Sequence, residues 1–386
     1  MNFPIDLFRE TPTPFYYYDL KLLRRTLAAL KNALPDADYR VHYAMKANAD
    51  PLVLDEIRRA GLGIDAVSGG EVQRALDCGF DPAKIVFAGV GKTDAEITLA
   101  LQAGIACFNV ESLPEMEVIN AIASSLGLTA DIALRVNPEI DAHTHSYITT
   151  GLAENKFGIN LGQLPEVVAA AQAMPAIRLT GLHFHIGSQL TENEPFRLLC
   201  ERINTLQDQF EANGVRFQTI NVGGGLGVDY ANPDAHPVPD FAGYFSTFAA
   251  NLRLRPGQQL HFELGRAIVC QCGSLITRVV YVKEGTVKKF VIVDAGMTDL
   301  IRPALYQAHH LIQNLTSTGP AERYDVVGPI CESSDVFDKD ITLPLTRRGD
   351  ILALRSAGAY GQIMASRYNL RQIPPTVVDA DEECQA

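Results

Sequence analysis

At 386 residues the chain is longer than one hydrophobic core usually supports, so two domains are expected. Its composition, 47% hydrophobic and 20% charged, is that of an ordinary soluble globular protein. The formal charge of −12, with no Lys/Arg cluster, speaks against a nucleic-acid partner, and no apolar run approaches the roughly 20 residues of a membrane span.

Met1-Asn2-Phe3-Pro4-Ile5-Asp6 lacks the basic and apolar regions of a signal peptide. The cysteines (Cys78, Cys107, Cys200, Cys270, Cys272, Cys331, Cys384) are odd in number and scattered, without zinc-knuckle spacing. A reduced, cytoplasmic setting and no metal site are the expectation.

In chain order, strand-like runs fall at Arg40–Ala44, Gly63–Val67, Lys84–Ala88, Ile105–Val110, Asp131–Val136, Leu179–Ile186, Thr219–Val222 and Gln259–Glu263. Helical patterns lie between them: Pro51–Ala60, Gly70–Cys78, Thr93–Ala103, Ser112–Leu126, Leu164–Met174 and Glu194–Asn213. Gly61, Gly79, Gly104 and Gly214 follow four of these helices, as left-handed C-caps do. Repeated βα units in one block predict a (β/α)8 TIM-like barrel, although the helix after Glu263 is missing. From Ala267 the pattern turns to strands: Ala267–Cys272, Leu275–Val282, Lys288–Val293, Asp325–Val327, Ile351–Leu354 and Gln362–Met364. This predicts a mostly β, barrel-like C-terminal domain, which the Pro14–Tyr18 run is expected to join. The boundaries then fall at 25–265 for the barrel, with 1–24 and 266–386 in the β domain. The acidic end Asp379–Ala386 reads as a frayed tail.

Barrel enzymes work at the C-terminal ends of their strands. Lys46 sits at the first such end, in Tyr43-Ala44-Met45-Lys46-Ala47-Asn48. Alone it reads as a solvated charge; between Met45 and Ala47, partial desolvation would favour the neutral, nucleophilic amine. Gly223-Gly224-Gly225-Leu226-Gly227 follows the seventh strand and is either a flexible turn or a nest of N–H groups for a phosphate. His185-Ile186-Gly187-Ser188-Gln189 offers a core histidine, or an imidazole to stack on a flat cofactor with Ser188 for its phosphate. Glu263 and Arg266 form a plain ion pair, or Glu263 supplies the carboxylate that keeps a pyridine nitrogen protonated.

The ordered set Tyr43–Asn48, Ser68–Glu71, His145–Gly158, His183–Gln189, Gly223–Gly227, Glu263–Arg266, Asp294–Tyr306, Gly328–Asp335 and Gly358–Gly361 resembles the fold-type III pyridoxal-phosphate decarboxylases, nearly end to end. It is most similar to the branch that acts on meso-diaminopimelate. The resemblance implies pyridoxal 5'-phosphate held as a Schiff base on Lys46, with His185 on the ring and Glu263 at its nitrogen. It implies Ser188, Gly223, Gly224, Gly225, Gly227, Arg266 and Tyr360 as cofactor contacts. Arg266, Arg302, Tyr306, Glu332 and Tyr360 are implied for the substrate. Cys331 would donate the proton at Cα, from a segment that enters the neighbouring subunit's site in a homodimer. The reaction implied is decarboxylation of meso-diaminopimelate to L-lysine and CO2. Same-fold rivals act on ornithine, lysine, arginine or carboxynorspermidine, and a catalytically silent regulator is the remaining alternative. In one departure, Leu264 stands where the family's strand-eight motif usually carries proline.

Overall fold

Eight strands are parallel and close on themselves in a computed structural model that describes residues 3–35, 38–140 and 156–379. They are β1 (Tyr39–Ala44), β2 (Gly63–Ala66), β3 (Ile85–Phe87), β4 (Cys107–Val110), β5 (Ala130–Asn137), β6 (Ile177–His183), β7 (Thr219–Asn221) and β8 (Gln259–Leu264). Pairing runs in chain order, and β8 returns to β1 with Leu260 opposite Tyr39 and Leu264 opposite Tyr43. The barrel belongs to a unit of residues Leu27–Gly227 and Asp240–Gly265.

Side-chain caps start the first four crossover helices, Pro51–Arg59, Gly69–Asp77, Asp94–Ala103 and Leu113–Leu126. Asp50, Ser68, Thr93 and Ser112 each accept a first-turn N–H, and Thr93 completes a capping box with Glu96. Glycines at positive φ, such as Gly104 at 70° and Gly127 at 67°, stop the helices. Residues paired in register share a face, so His183, Asn221 and His261 line up along one side of neighbouring strands. That side is the barrel interior, and it holds polar groups where branched apolar layers are the rule.

The second unit comprises residues 1–26, Val228–Pro239 and 266–386. Its main sheet uses β9 (Gly273–Glu284), β10 (Lys289–Val293), β11 (Ile312–Asn314), β12 (Ala321–Val327), β13 (Val336–Pro344) and β14 (Ile351–Leu354), in the order β11-β14-β9-β10-β12-β13. The Phe15–Tyr18 strand lies antiparallel to β9, and its aromatic run is buried on both faces. Phe15 and Tyr17 pack with Phe8, Ile276, Ile351 and Ala353, and the Phe8 and Tyr17 rings meet edge-on at 5.0 Å.

Three sequence expectations are corrected. Ala267–Cys272 is not a strand: Arg266–Val269 form a short helix, continued by the Cys270 N–H to the Arg266 carbonyl. A short apolar run buried on every side looks alike in either conformation. Gln362–Met364 is a 3-10 turn, and the Gln362 side chain is spent on Tyr18, Pro374 and Thr376. Residues 228–239, expected within the barrel, go with the β unit. There Asp234 forms two hydrogen bonds with Arg355, at 2.8 and 3.0 Å, and the Gln271 amide donates to the Asp229 carbonyl. Of the family-like motifs, His145–Gly151 and Asn155 lie outside the described residues, as does the tail beyond residue 379.

The Arg355 side chain is 2% exposed and Asp234 is 48% exposed. Removing the carboxylate strands a buried cation, which for a fully buried pair costs about 3–5 kcal/mol. With one partner half in water, Asp234→Ala is expected to lower stability by about 2 kcal/mol in denaturant titration, with Asp234→Glu less affected.

Candidate functional site

In the barrel unit, β1 ends at Ala44 and the chain tightens into a 3-10 turn, Met45–Ala47. Met45 and Ala47 are buried on either side of Lys46, whose side chain remains 41% exposed. Its amine donates to Asp65 Oδ2 at 3.3 Å, just inside the end of β2. Asp65 is fully buried, and its Oδ1 has no hydrogen-bond partner. Burial first, then the negative Glu263, raises the Asp65 pKa to about 7, against the opposing pull of Lys46.

Glu263, near the end of β8, is held by side chains from three other strands. Asn109 Nδ2 and Asn221 Nδ2 donate to Oε1 at 2.9 and 2.7 Å, and His183 Nε2 lies 2.9 Å from Oε2. Burial alone would raise its pKa, but His183 and Lys46 hold it well below the usual carboxylate range. A carboxylate has about four lone-pair positions. Three are taken by these contacts, which leaves one on Oε2.

His185 follows β6. Its Nδ1 accepts the Gly224 N–H at 3.3 Å, so the ring proton resides on Nε2. Burial, then Arg135 and Lys46, push its pKa well down, and the imidazole is neutral. Gly223 has φ 67°, and a Cβ there would lie 2.4 Å from the Phe184 carbonyl oxygen. At Gly224 it would lie 2.2 Å from the Glu263 carbonyl oxygen. The Gly225 and Gly227 backbones are zipped to Leu190, two residues past Ser188. The amides of Gly223 and Gly224 already serve Asn221 and His185, so the expected nest is narrower than the glycine count suggests.

In the β unit, Arg266, Arg302 and Tyr360 converge on Tyr230. Arg266 Nη1 donates to the Tyr230 hydroxyl at 2.5 Å and Arg302 Nη1 does so at 2.8 Å. The Arg266 guanidinium also lies 4.9 Å from the centre of the Tyr360 ring. Tyr306, half-buried, ends the short helix that Arg302 begins. Cys331 and Glu332 stand elsewhere in this unit, on an exposed turn. The Cys331 N–H donates to Asn369 Oδ1, and the Tyr368 hydroxyl to Glu332 at 2.7 Å. Asp335 anchors that turn by accepting the Ile330 and Met297 N–H groups.

Sequence reading missed Asn109, Asn221, His183 and Tyr230 as site residues. The signal for the first two was available: a buried asparagine in an otherwise apolar strand demands a partner.

A model of the family described as pyridoxal-dependent decarboxylase, pyridoxal binding domain, matches residues 20–270. The chain is 60% identical to a diaminopimelate decarboxylase of Bacteroides thetaiotaomicron, over 96% of its own length and 97% of that relative's. It is 44% identical to a diaminopimelate decarboxylase of Vibrio cholerae, over 98% and 90% of the two lengths. The crystal structure of diaminopimelate decarboxylase from Helicobacter pylori complexed with L-lysine matches with a TM-score of 0.92 at 41% identity, covering 98% of this chain and 94% of that one.

Two outcomes follow from the barrel cluster. Glu263→Ala leaves three buried donors without an acceptor and is expected to cost about 2–4 kcal/mol by calorimetry, while Glu263→Gln recovers most of it. Asp65 binds its proton more tightly folded than unfolded, so stability falls as pH rises from about 4 to about 7. Asp65→Asn is expected to flatten that slope in melts taken across the window.

Proposed function

The chain belongs to the pyridoxal-dependent decarboxylases, and we propose that its substrate is meso-diaminopimelate, cleaved to L-lysine and CO2. The observation that carries the substrate is Arg302: a guanidinium 6% exposed, bonded among the described residues to Tyr230 and His310 and to no carboxylate. A buried cation of this kind suits a second carboxylate on the substrate. A substrate tipped with an amine would want an acid there.

The barrel residues fit pyridoxal 5'-phosphate. The thin glycine loop, the spare lone pair on Glu263 and the amine of Lys46 match its phosphate, ring nitrogen and aldehyde in kind. When bound, the cofactor supplies an electron sink for the pair left as the carboxylate departs. Lys46 would hold it through its amine, the group suited to an aldehyde. Glu263, kept ionised, holds a proton on the ring nitrogen. His185, a neutral imidazole, would face the ring. Ser188, Gly225, Gly227, Arg266 and Tyr360 would contact the phosphate, while Gly223 and Gly224, with their amides committed, would leave it room by lacking side chains.

Arg266, Arg302, Tyr306 and Tyr360 bind the substrate. Cys331 delivers the proton to Cα, and Glu332 reads the distal amine, both across a homodimer interface. Exposure of that turn and of Leu370, 93% exposed, supports a second copy as the cover. An exposed free thiol at Cys331 suits a reducing, cytoplasmic setting.

Turnover of meso-diaminopimelate against ornithine, lysine, arginine and carboxynorspermidine tests the reading. Preference for any of the last four overturns it. Lys46→Ala is expected to abolish the cofactor's visible absorbance band. Cys331→Ala is expected to lower kcat by about 10²–10⁴-fold with KM little changed, as loss of a general acid does.

A further inference from the structure

Arginines in this chain are buried in two different ways. Arg135 and Arg355 face carboxylates, Glu111 at 2.7 Å and Asp234 at 2.8 Å, which neutralise them. Arg302 faces two neutral acceptors instead. Its Nη1 donates to the Tyr230 hydroxyl at 2.8 Å and lies 3.3 Å from His310 Nε2.

Both acceptors are fixed in their roles. His310 Nδ1 donates to the Arg355 carbonyl at 2.8 Å, so Nε2 carries the lone pair and points at Arg302. Burial, then the positive Arg302, lowers the His310 pKa to about 3, and the ring stays uncharged. Burial also lifts the Tyr230 hydroxyl to about 12, so it too is neutral. The Tyr230 ring adds a face for the guanidinium, with its centre 5.0 Å from Arg302, and stands edge-on to His310 at 5.4 Å.

An arginine held this way is oriented without being neutralised. Both contacts use one terminal nitrogen, and the rest of the planar fork keeps its donors and its full charge for a bidentate anion. We infer that Tyr230 and His310 are positioning residues that set the plane of Arg302 for the distal carboxylate of the ligand. They thereby set the preference for a carboxylate-bearing ligand over a bare diamine. The inference rests on the substrate reading above.

The test uses the cofactor-loaded enzyme and two ligands of equal chain length: L-lysine, which bears a carboxylate, and cadaverine, which does not. Binding is read by titration calorimetry. Tyr230→Phe keeps the ring and removes the hydroxyl, so L-lysine affinity is expected to fall about tenfold while cadaverine stays within about twofold. KM for meso-diaminopimelate rises in step with the L-lysine dissociation constant, and kcat holds. His310→Leu gives the same selective loss, and His310→Gln, which returns an acceptor, restores most of it.

Equal weakening of both ligands would mean a general structural role and overturns the inference, as does no change in either. Wild-type enzyme that binds the two ligands alike also overturns it. Wild-type enzyme that prefers L-lysine yet fails to turn over meso-diaminopimelate counts against the substrate reading, and the selective loss in Tyr230→Phe still decides the roles of Tyr230 and His310.

Discussion

The barrel interior is organised around keeping one buried carboxylate charged. An ionised carboxyl taken out of water costs many kcal/mol unless donors replace the lost solvent. Glu263 recovers that cost from donors on three other strands: Asn109 on β4, His183 on β6 and Asn221 on β7. The same contacts tie β8 across the barrel to strands it does not all pair with. The charge then shapes its neighbour. Asp65 is driven up to about 7 by its own burial first and then by the negative Glu263 nearby. Two acids in one interior, pushed in opposite directions, are how a single site keeps a fixed anion beside an exchangeable proton.

That arrangement needs Asn109 to stay where it is, and a buried lysine sees to it. Lys92, with its side chain 1% exposed, donates to the carbonyls of Gly89 and Asn109 at 3.0 and 2.9 Å and to Glu115 at 2.6 Å. The other oxygen of Glu115 accepts the Glu111 N–H, and Glu111 in turn holds Arg135 and the Gly158 N–H. Charges therefore alternate along the ends of β3, β4 and β5. Buried ion pairs of this kind are weak sources of net stability. Their effect here is geometric, because each one clamps backbone at the rim where Asn109 must present its amide. Arg135 has a second consequence, since its charge helps keep His185 neutral.

The barrel was legible in the sequence because its signal is local: runs of β-branched and apolar residues, capped helices and left-handed glycines all act within a few positions. Lys46, His185, Glu263 and the glycine loop stood out because strand ends in such barrels are where chemistry collects. What escaped notice depends on partners far apart along the chain. Asn109 and Glu263 are separated by 154 positions, and nothing near Asn109 announces its acceptor. The same holds for residues 228–239, whose place is decided by Arg355, 121 positions beyond Asp234. Ala267–Cys272 failed for a different reason: β-branched and small residues packed on all sides satisfy a helix as well as a strand.

The glycine loop shows how a correct choice of residues can rest on an incomplete reason. Its composition suggested a supply of free N–H donors for a phosphate. The first two amides are already committed, to Asn221 and to His185. What demands glycine at these positions is thinness. Any side chain at Gly223 or Gly224 would strike the backbone of Phe184 or Glu263. Bare backbone lets the loop after β7 lie against the chain following β6 and against β8, and this close approach brings His185 and Glu263 to one rim. Further along, the Leu190 N–H donates to the Gly225 carbonyl and the Gly227 N–H to the Leu190 carbonyl, which holds this part of the loop two residues from the Ser188 hydroxyl. Phosphate recognition and the placing of the ring-facing groups thus follow from one steric requirement.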